Sequence, residues 1–336
     1  MIQSLDKLNE EQSVIEEARS LLGLDWQEMD QEIRVQLDTD VGLINSISHY
    51  IINSGGKRLR PLMVLLSSKA CGIDKHNRSR ILAAAMIEFI HTATLLHDDV
   101  VDESDTRRGI NTAHRHFGNE PTILVGDFLY SRAFQMMVQI GQMRVMEIMA
   151  HTTNTIAEGE VLQLIHCGNP NITEKEYMDV IYRKTGKLFE ASVSIGAVLA
   201  DQSQIVELSL TEYGRHLGIA FQLIDDVFDY SSSVEIIGKN IGDDLAEGKP
   251  TLPLIYALER CNSREQLLIR KAIANKDSRH SEQIIECLRT CGALALATEK
   301  AKATSEKAIT ALGPLPDSQY KDALIKLARF AIDRTY

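Results

Sequence analysis

The chain has 336 residues, 44% hydrophobic but only 5% aromatic, enough to bury a large core and closer to the composition of packed helices than of sheets. Its formal net charge of -11 excludes a general binder of nucleic acid or anionic membrane, since both partners call for a basic surface field. Five cysteines without a C-x-x-C pair indicate neither a disulfide framework nor a zinc site, and Cys287 and Cys291, one helical turn apart, read as small core residues.

Residues 1 to 50 read as two amphipathic helices, broken by Ser54-Gly55-Gly56 ahead of the basic cluster Lys57-Arg58-Leu59-Arg60-Pro61. Pro61 fits the first turn of the next helix. Apolar residues then recur every three or four positions over 79 to 104, 122 to 142, 144 to 166, 174 to 201 and 207 to 231, the helical period. Turn residues separate these segments, the longest stretch running from Gly238 to Pro253. Further helices are expected near 251 to 260, 264 to 275, 281 to 312 and 317 to 334, and nothing alternates as a strand. The expectation is an all-α chain forming one domain, with N-terminal helices (1-50), a core (51-260) and C-terminal helices (261-336). No apolar run approaches the roughly 18 to 20 residues of a membrane span, and the acidic start is unlike a signal or transit peptide. No stable membrane insertion and a cytoplasmic, bacterial setting are expected.

One pattern occurs twice. Asp98-Asp99-Val100-Val101-Asp102 ends one apolar helix and Asp225-Asp226-Val227-Phe228-Asp229 ends another. Residues four apart share a helix face, so Asp98 and Asp102 project together, as do Asp225 and Asp229. A lone D-D-x-x-D is compatible with a solvated helix end. Two copies ask for an offsetting charge, and divalent cations supply it; magnesium takes oxygen ligands from one or two carboxylates and completes its shell with substrate phosphates and water. The EF-hand calcium loop is absent.

Cations stand near these acids. Lys57 and Arg60 follow the double glycine; Arg107 and Arg108 come just after the first cluster; Lys239 and Lys249 flank Asp243-Asp244 beyond the second. Each alone is an ordinary surface residue. Lys184 is different, because it lies among Ile181, Tyr182, Leu188 and Phe189 and needs a partner there, for which a phosphate is suitable.

The sequence resembles the trans-isoprenyl diphosphate synthase family, closest to its bacterial octaprenyl members. The resemblance is carried by GGKRLRP at 55-61, LLHDDVVDESDTRRG at 95-109, VGDFLYSRAFQ at 125-135, KTGKLFE at 184-190, FQLIDDVFDY at 221-230 and GKNIGDDLAEGKPTLP at 238-253. It implies an isoprenoid-synthase-type helical bundle around a central apolar cavity. By resemblance, Lys57, Arg60, His91 and Arg108 hold the diphosphate of isopentenyl diphosphate, while Arg107, Lys184, Thr185, Gln222 and Lys239 hold that of an allylic substrate. Asp98, Asp102 and Asp225 then bind Mg2+, with Asp99, Asp226, Asp229 and Asp243 in support, and Asp98, Asp102, Asp225, Lys184 and Arg107 form the catalytic set. A homodimer is implied as well.

Small residues at Thr94 and Ala93 leave room for a growing chain behind Asp98, and Met136, Met137, Met143, Met146 and Met149 read either as a cavity floor or as ordinary core. Octaprenyl product, made from farnesyl diphosphate for quinone side chains, is implied by resemblance; a solanesyl-type or other medium- or long-chain product uses the same residues. His97-Asp98 alone would suit a metal-dependent phosphohydrolase, and a non-catalytic partner subunit is the remaining alternative. The intact aspartate clusters speak against both. The terminal Arg334-Thr335-Tyr336 differs from the basic tail of short-chain members, so the terminus is assigned no part in closing the site.

Overall fold

The computed structural model describes residues 13-53, 55-72, 76-107, 109-231 and 243-334. Arg108 and Lys239 lie outside them. Where two N-terminal helices were expected, helix runs over 13-22, α1 (Leu24–Leu37) and α2 (Gly42–Asn53). Gly23, at a positive φ of 53°, makes the added break.

Next come α3 (Leu59–Ala70) and α4 (Arg78–Val101). The side chain of Asn77 caps α4 by accepting from the Arg80 amide at 3.2 Å. α4 passes the length and hydropathy test for a membrane span, but 78% of its apolar window is buried inside the fold, and it is a core helix. Ile81 to Ile87, Phe89, Ile90, Ala93 and Leu96 are all buried along it, each large side chain contributing about 1.5–3 kcal/mol of burial.

A small antiparallel hairpin follows, β1 (Thr106–Arg107) with β2 (Ile110–Asn111), Thr106 opposite Asn111 and Arg107 opposite Ile110. The sequence gives no alternation over so short a span. Beyond it lie α5 (Ala113–Phe117), α6 (Asn119–Ile140) and α7 (Met143–His166). The segment expected as one helix over 174 to 201 is α8 (Glu174–Ile181), a π-helical turn at Tyr182–Gly186, and α9 (Lys187–Leu199). A capping box, Thr173 with Glu176, starts α8.

α10 (Gln204–Ser231) carries the second aspartate cluster in its last turns, and α11 (Asp243–Glu247) opens the described chain after it. The C-terminal part is α12 (Leu252–Arg260), α13 (Ser263–Asn275), α14 (Ser281–Thr290), α15 (Ala293–Ala311) and α16 (Gln319–Asp333). The helix expected over 281 to 312 is thus two, divided where Gly292 adopts φ 78°.

α4 packs along α6, and α10 lies between α9 and α15. The main core joins α3, α4, α6, α7, α9 and α10 and includes Met136, Met137 and Met149, whereas Met143 is exposed. Cys287 is buried and Cys291 partly so, in a smaller cluster under α12 to α14. Arg80, fully buried, donates to Asp25 at 2.7 Å and fastens α1 to α4.

Candidate active site

The first aspartate cluster sits where α4 ends. Asp98 is in the last helical turn and Asp102 is the C-cap, its amide bonded to the Asp98 carbonyl at 2.8 Å. Asp99, wholly buried, accepts from Arg107 Nε at 2.7 Å and pairs with Nη2 at 2.6 Å, which holds β1 against the helix end. Asp102 accepts from Lys249 Nζ at 2.8 Å, and Lys249 also pairs with Glu247. Asp98 lies 3.6 Å from Lys184 Nζ, which donates to Glu160 on α7 at 2.6 Å.

Burial pushes the Asp98 carboxyl above its ordinary range, with Lys184 opposing and Asp102 adding to the rise. Glu160 is raised too, again by burial first. For Lys184 burial favours the neutral amine, but the Asp98 and Glu160 carboxylates outweigh it and the pKa is raised. Lys249 is raised for the same reason, through Asp102 and Glu247. Ammonium groups here serve as counter-charges for carboxylates.

Lys184 reaches the acids because of the π turn. A Cβ on Gly159 of α7 would lie 2.8 Å from Lys184 N and from Arg183 Cβ, and one on Gly218 of α10 would lie 2.7 Å from Gly186 Cα. Glycine on both flanks therefore lets α7 and α10 close on this turn, and the extra residue in it shifts the side-chain register locally. Lys184 then faces the first cluster while its neighbour Thr185 donates to Gln222 Oε1 of α10 at 3.0 Å.

Gln222 in turn donates to Asp226 at 2.7 Å, and Tyr177 of α8 donates to the other Asp226 oxygen at 2.5 Å. Burial raises the Asp226 carboxyl far above its ordinary range, with Asp244 adding to it. Asp229 accepts from the Asp244 amide at 3.3 Å, and Asp225, partly exposed, pairs with Arg334 at 2.9 Å. A third group assembles beside these: Arg60 Nη1 lies 3.1 Å from His91 Nε2 and its guanidinium sits 4.3 Å over Phe189, while Lys57 Nζ lies 5.1 Å over Phe330 of α16.

Of the described residues assigned to the site, Asp98, Asp102, Arg107 and Lys184 gather at the end of α4, Thr185 joins Gln222 one turn before Asp225 on α10, Arg60 meets His91, and Lys57 lies over Phe330. Glu160, Tyr177 and Arg334 belong with them and were not foreseen, and Lys249, noted only as a flanking cation, touches Asp102 directly. Glu160 had one signal, its place after Gly159 on a helix that must approach Lys184. Nothing in the sequence assigns Arg334 a part in the site, yet it pairs with Asp225.

Oxygen donors in two clusters, several of them desolvated, suit a hard divalent cation. Among the described residues no three acidic, His or Cys side chains converge on one point. That fits an ion which completes its shell with phosphate oxygens and water rather than a protein cage.

An all-helical fold with paired acidic clusters facing basic groups defines a diphosphate-handling helical enzyme. The polyprenyl synthetase family model matches residues 41–291, and the chain belongs to that family. The octaprenyl diphosphate synthase of Escherichia coli is 48% identical over 95% of this chain and 99% of its own length. The all-trans-nonaprenyl-diphosphate synthase (geranyl-diphosphate specific) of Rhodobacter capsulatus is 44% identical over 92% and 95%. The crystal structure of a polyprenyl synthase from Caulobacter crescentus, complexed with calcium and isoprenyl diphosphate, superposes with a TM-score of 0.92 at 40% identity, covering 96% of this chain and 98% of that one. The protein is a chain-elongating trans-prenyl diphosphate synthase, which removes the phosphohydrolase and the non-catalytic readings.

Proposed function

We propose that the protein condenses isopentenyl diphosphate with an allylic primer, farnesyl diphosphate, to build all-trans-octaprenyl diphosphate for quinone side chains, with Mg2+ as cofactor. The observation that supports the reading best is the π turn, whose consecutive residues Lys184 and Thr185 reach the first aspartate cluster directly and the second through Gln222. A diphosphate between the clusters meets both. The octaprenyl product is supported by the Escherichia coli relative.

In this reading Asp98, Asp102 and Asp225 hold the metal, and bound magnesium supplies positive charge against the departing diphosphate. Lys184, Thr185, Gln222, Arg107 and Lys239 orient the allylic diphosphate, and Lys184 and Arg107 neutralise charge as its C1–O bond breaks. Lys57, Arg60, His91 and Arg108 fix the isopentenyl diphosphate so that its double bond faces the allylic C1. A C–C bond forms there, and one proton leaves the new chain for the departing diphosphate. Ala93, buried, and the half-buried Thr94 behind Asp98 give the chain an apolar direction in which to grow away from water.

We further propose that residues 1–336 act as one domain, that the enzyme works in the cytoplasm, and that it is a homodimer. The last rests on an exposed apolar face, Leu124, Phe134 and Val138 on α6 with Val161, Leu164 and Ile165 on α7.

The test incubates purified protein with farnesyl diphosphate, labelled isopentenyl diphosphate and magnesium, with an EDTA control, and sizes the dephosphorylated products. A magnesium-dependent eight-unit chain is expected. A chain of another length overturns the octaprenyl assignment alone, and elongation that survives EDTA overturns the metal.

A further inference from the structure

Arg334 is a long cationic side chain that is 5% exposed, one residue past the end of α16. Burying a guanidinium is costly unless its donors and charge are matched. Its Nε donates to the Ala331 carbonyl at 3.1 Å, and its Nη2 donates to the Phe221 carbonyl of α10 at 2.8 Å. The guanidinium plane lies 3.5 Å over the Phe221 ring, with Phe228 at 5.6 Å. The same Nη2 then reaches Asp225 Oδ1 at 2.9 Å.

Two carbonyls and an aromatic face fix this cation without any help from Asp225. Its ion-pair partner is the looser member, since the Asp225 side chain is 42% exposed. A cation arriving at Asp225 therefore has no reason to dislodge Arg334. One carboxylate oxygen stays tied to the guanidinium, and the other is turned to a fixed direction for a ligand. Outer partners of this kind set the orientation of metal-binding carboxylates.

We propose that Arg334 is a positioning residue for Asp225, through which the C-terminal helix α16 sets the metal-binding geometry of the second aspartate cluster. The proposal rests on the reading that Asp225 holds a divalent cation. It also gives α16 a place in the site at both ends of one turn, because Phe330 lies under Lys57 while Arg334 holds Asp225.

The experiment titrates Mn2+ into the full-length protein saturated with inorganic diphosphate, following binding by calorimetry, for wild type, Arg334→Gln, Arg334→Lys and Asp225→Asn, with circular dichroism to confirm folding. Arg334→Gln is expected to weaken Mn2+ by roughly 10- to 100-fold, the range for outer partners of metal ligands. Arg334→Lys, which keeps the buried charge, is expected to recover part of the loss and is the readable variant if the glutamine protein does not fold. Unchanged affinity in a folded Arg334 variant overturns the proposal, and so does tighter binding, which would make Arg334 a competitor for Asp225. If Asp225→Asn leaves Mn2+ affinity at the wild-type value, the metal reading of the second cluster fails first and the proposal falls with it.

Discussion

Asp98 is a half-buried carboxylate one turn before Asp102, held between the repulsion of that neighbour and the attraction of Lys184. Asp98→Ala removes a proposed metal ligand and relieves a like-charge pair in the same step. Turnover is expected to fall by about 10^2 to 10^3 or more, the scale of losing one charge-stabilising group, while the thermal midpoint stays level or rises. Steady-state assays and a melting curve check both halves, and turnover like wild type would remove Asp98 from the metal set. The residue-scale logic of this site was largely legible: paired aspartates at helix spacing ask for a cation, and Lys184 among apolar neighbours asks for an anion. Glu160 and Tyr177 were not legible, because each becomes significant only through a partner on another helix, Lys184 for the one and Asp226 for the other. Arg334 stayed hidden for a further reason, since its partners on α10, Phe221 and Asp225, lie more than 100 residues away in sequence.

At the scale of elements the site depends on how closely α7 and α10 press on the π turn. Gly159→Ala puts a methyl 2.8 Å from Lys184 N and Arg183 Cβ, contacts that backbone must yield to. Overpacking of this sort costs typically 1–3 kcal/mol, and displacing Lys184 by about an ångström is expected to lower kcat by about 10^2-fold. A variant that melts lower yet keeps its kcat would separate the turn from catalysis. Periodicity finds helices but is blind to a π turn, which leaves the apolar spacing nearly intact, and blind also to the break at Gly292, where apolar residues continue on both sides. A second element-scale expectation concerns α1, whose Asp30 pairs with Arg58 ahead of α3 and with Arg34 at 3.2 Å. Burial tends to raise the Asp30 pKa, but Arg58 and then Arg34 prevail and it is lowered from 3.8. A carboxyl depressed in the folded state adds stability above its unfolded pKa and loses it as pH falls through the folded value. The thermal midpoint of Asp30→Asn should therefore lie below wild type at pH 6, with the gap closing as pH drops below about 4. A gap that does not change with pH would assign the effect to packing.

At the scale of the whole molecule, the all-α class and most helix positions follow from periodicity, whereas the arrangement of exposed faces does not, because an apolar residue in the helical pattern reads as core until the fold shows it outside. Met143 was weighed as floor or core, yet it is exposed. On α7 the exposed positions Met143, Ala150, Ala157 and Leu164 recur every seven residues, flanked by Val161 and Ile165. On α6 Leu124 and Val138 are two heptads apart with Phe134 between. The seven-residue apolar stripe on α7 and the exposed Leu124, Phe134 and Val138 on α6 present a surface suited to a matching pair, and a two-fold axis lets one copy of this chain supply that pair to another. Leu164→Glu and Phe134→Glu place charge on these exposed apolar faces without touching the aspartate clusters. In the monomer these side chains are exposed, so folding should change by only a few tenths of a kcal/mol. In a dimer packed through these faces each charge would be desolvated on both copies. The dimer dissociation constant, read by sedimentation over a concentration series, is expected to rise at least tenfold, about 1.4 kcal/mol. If both variants sediment as wild type does, the contact between copies lies elsewhere, and the apolar faces of α6 and α7 meet something other than a second chain.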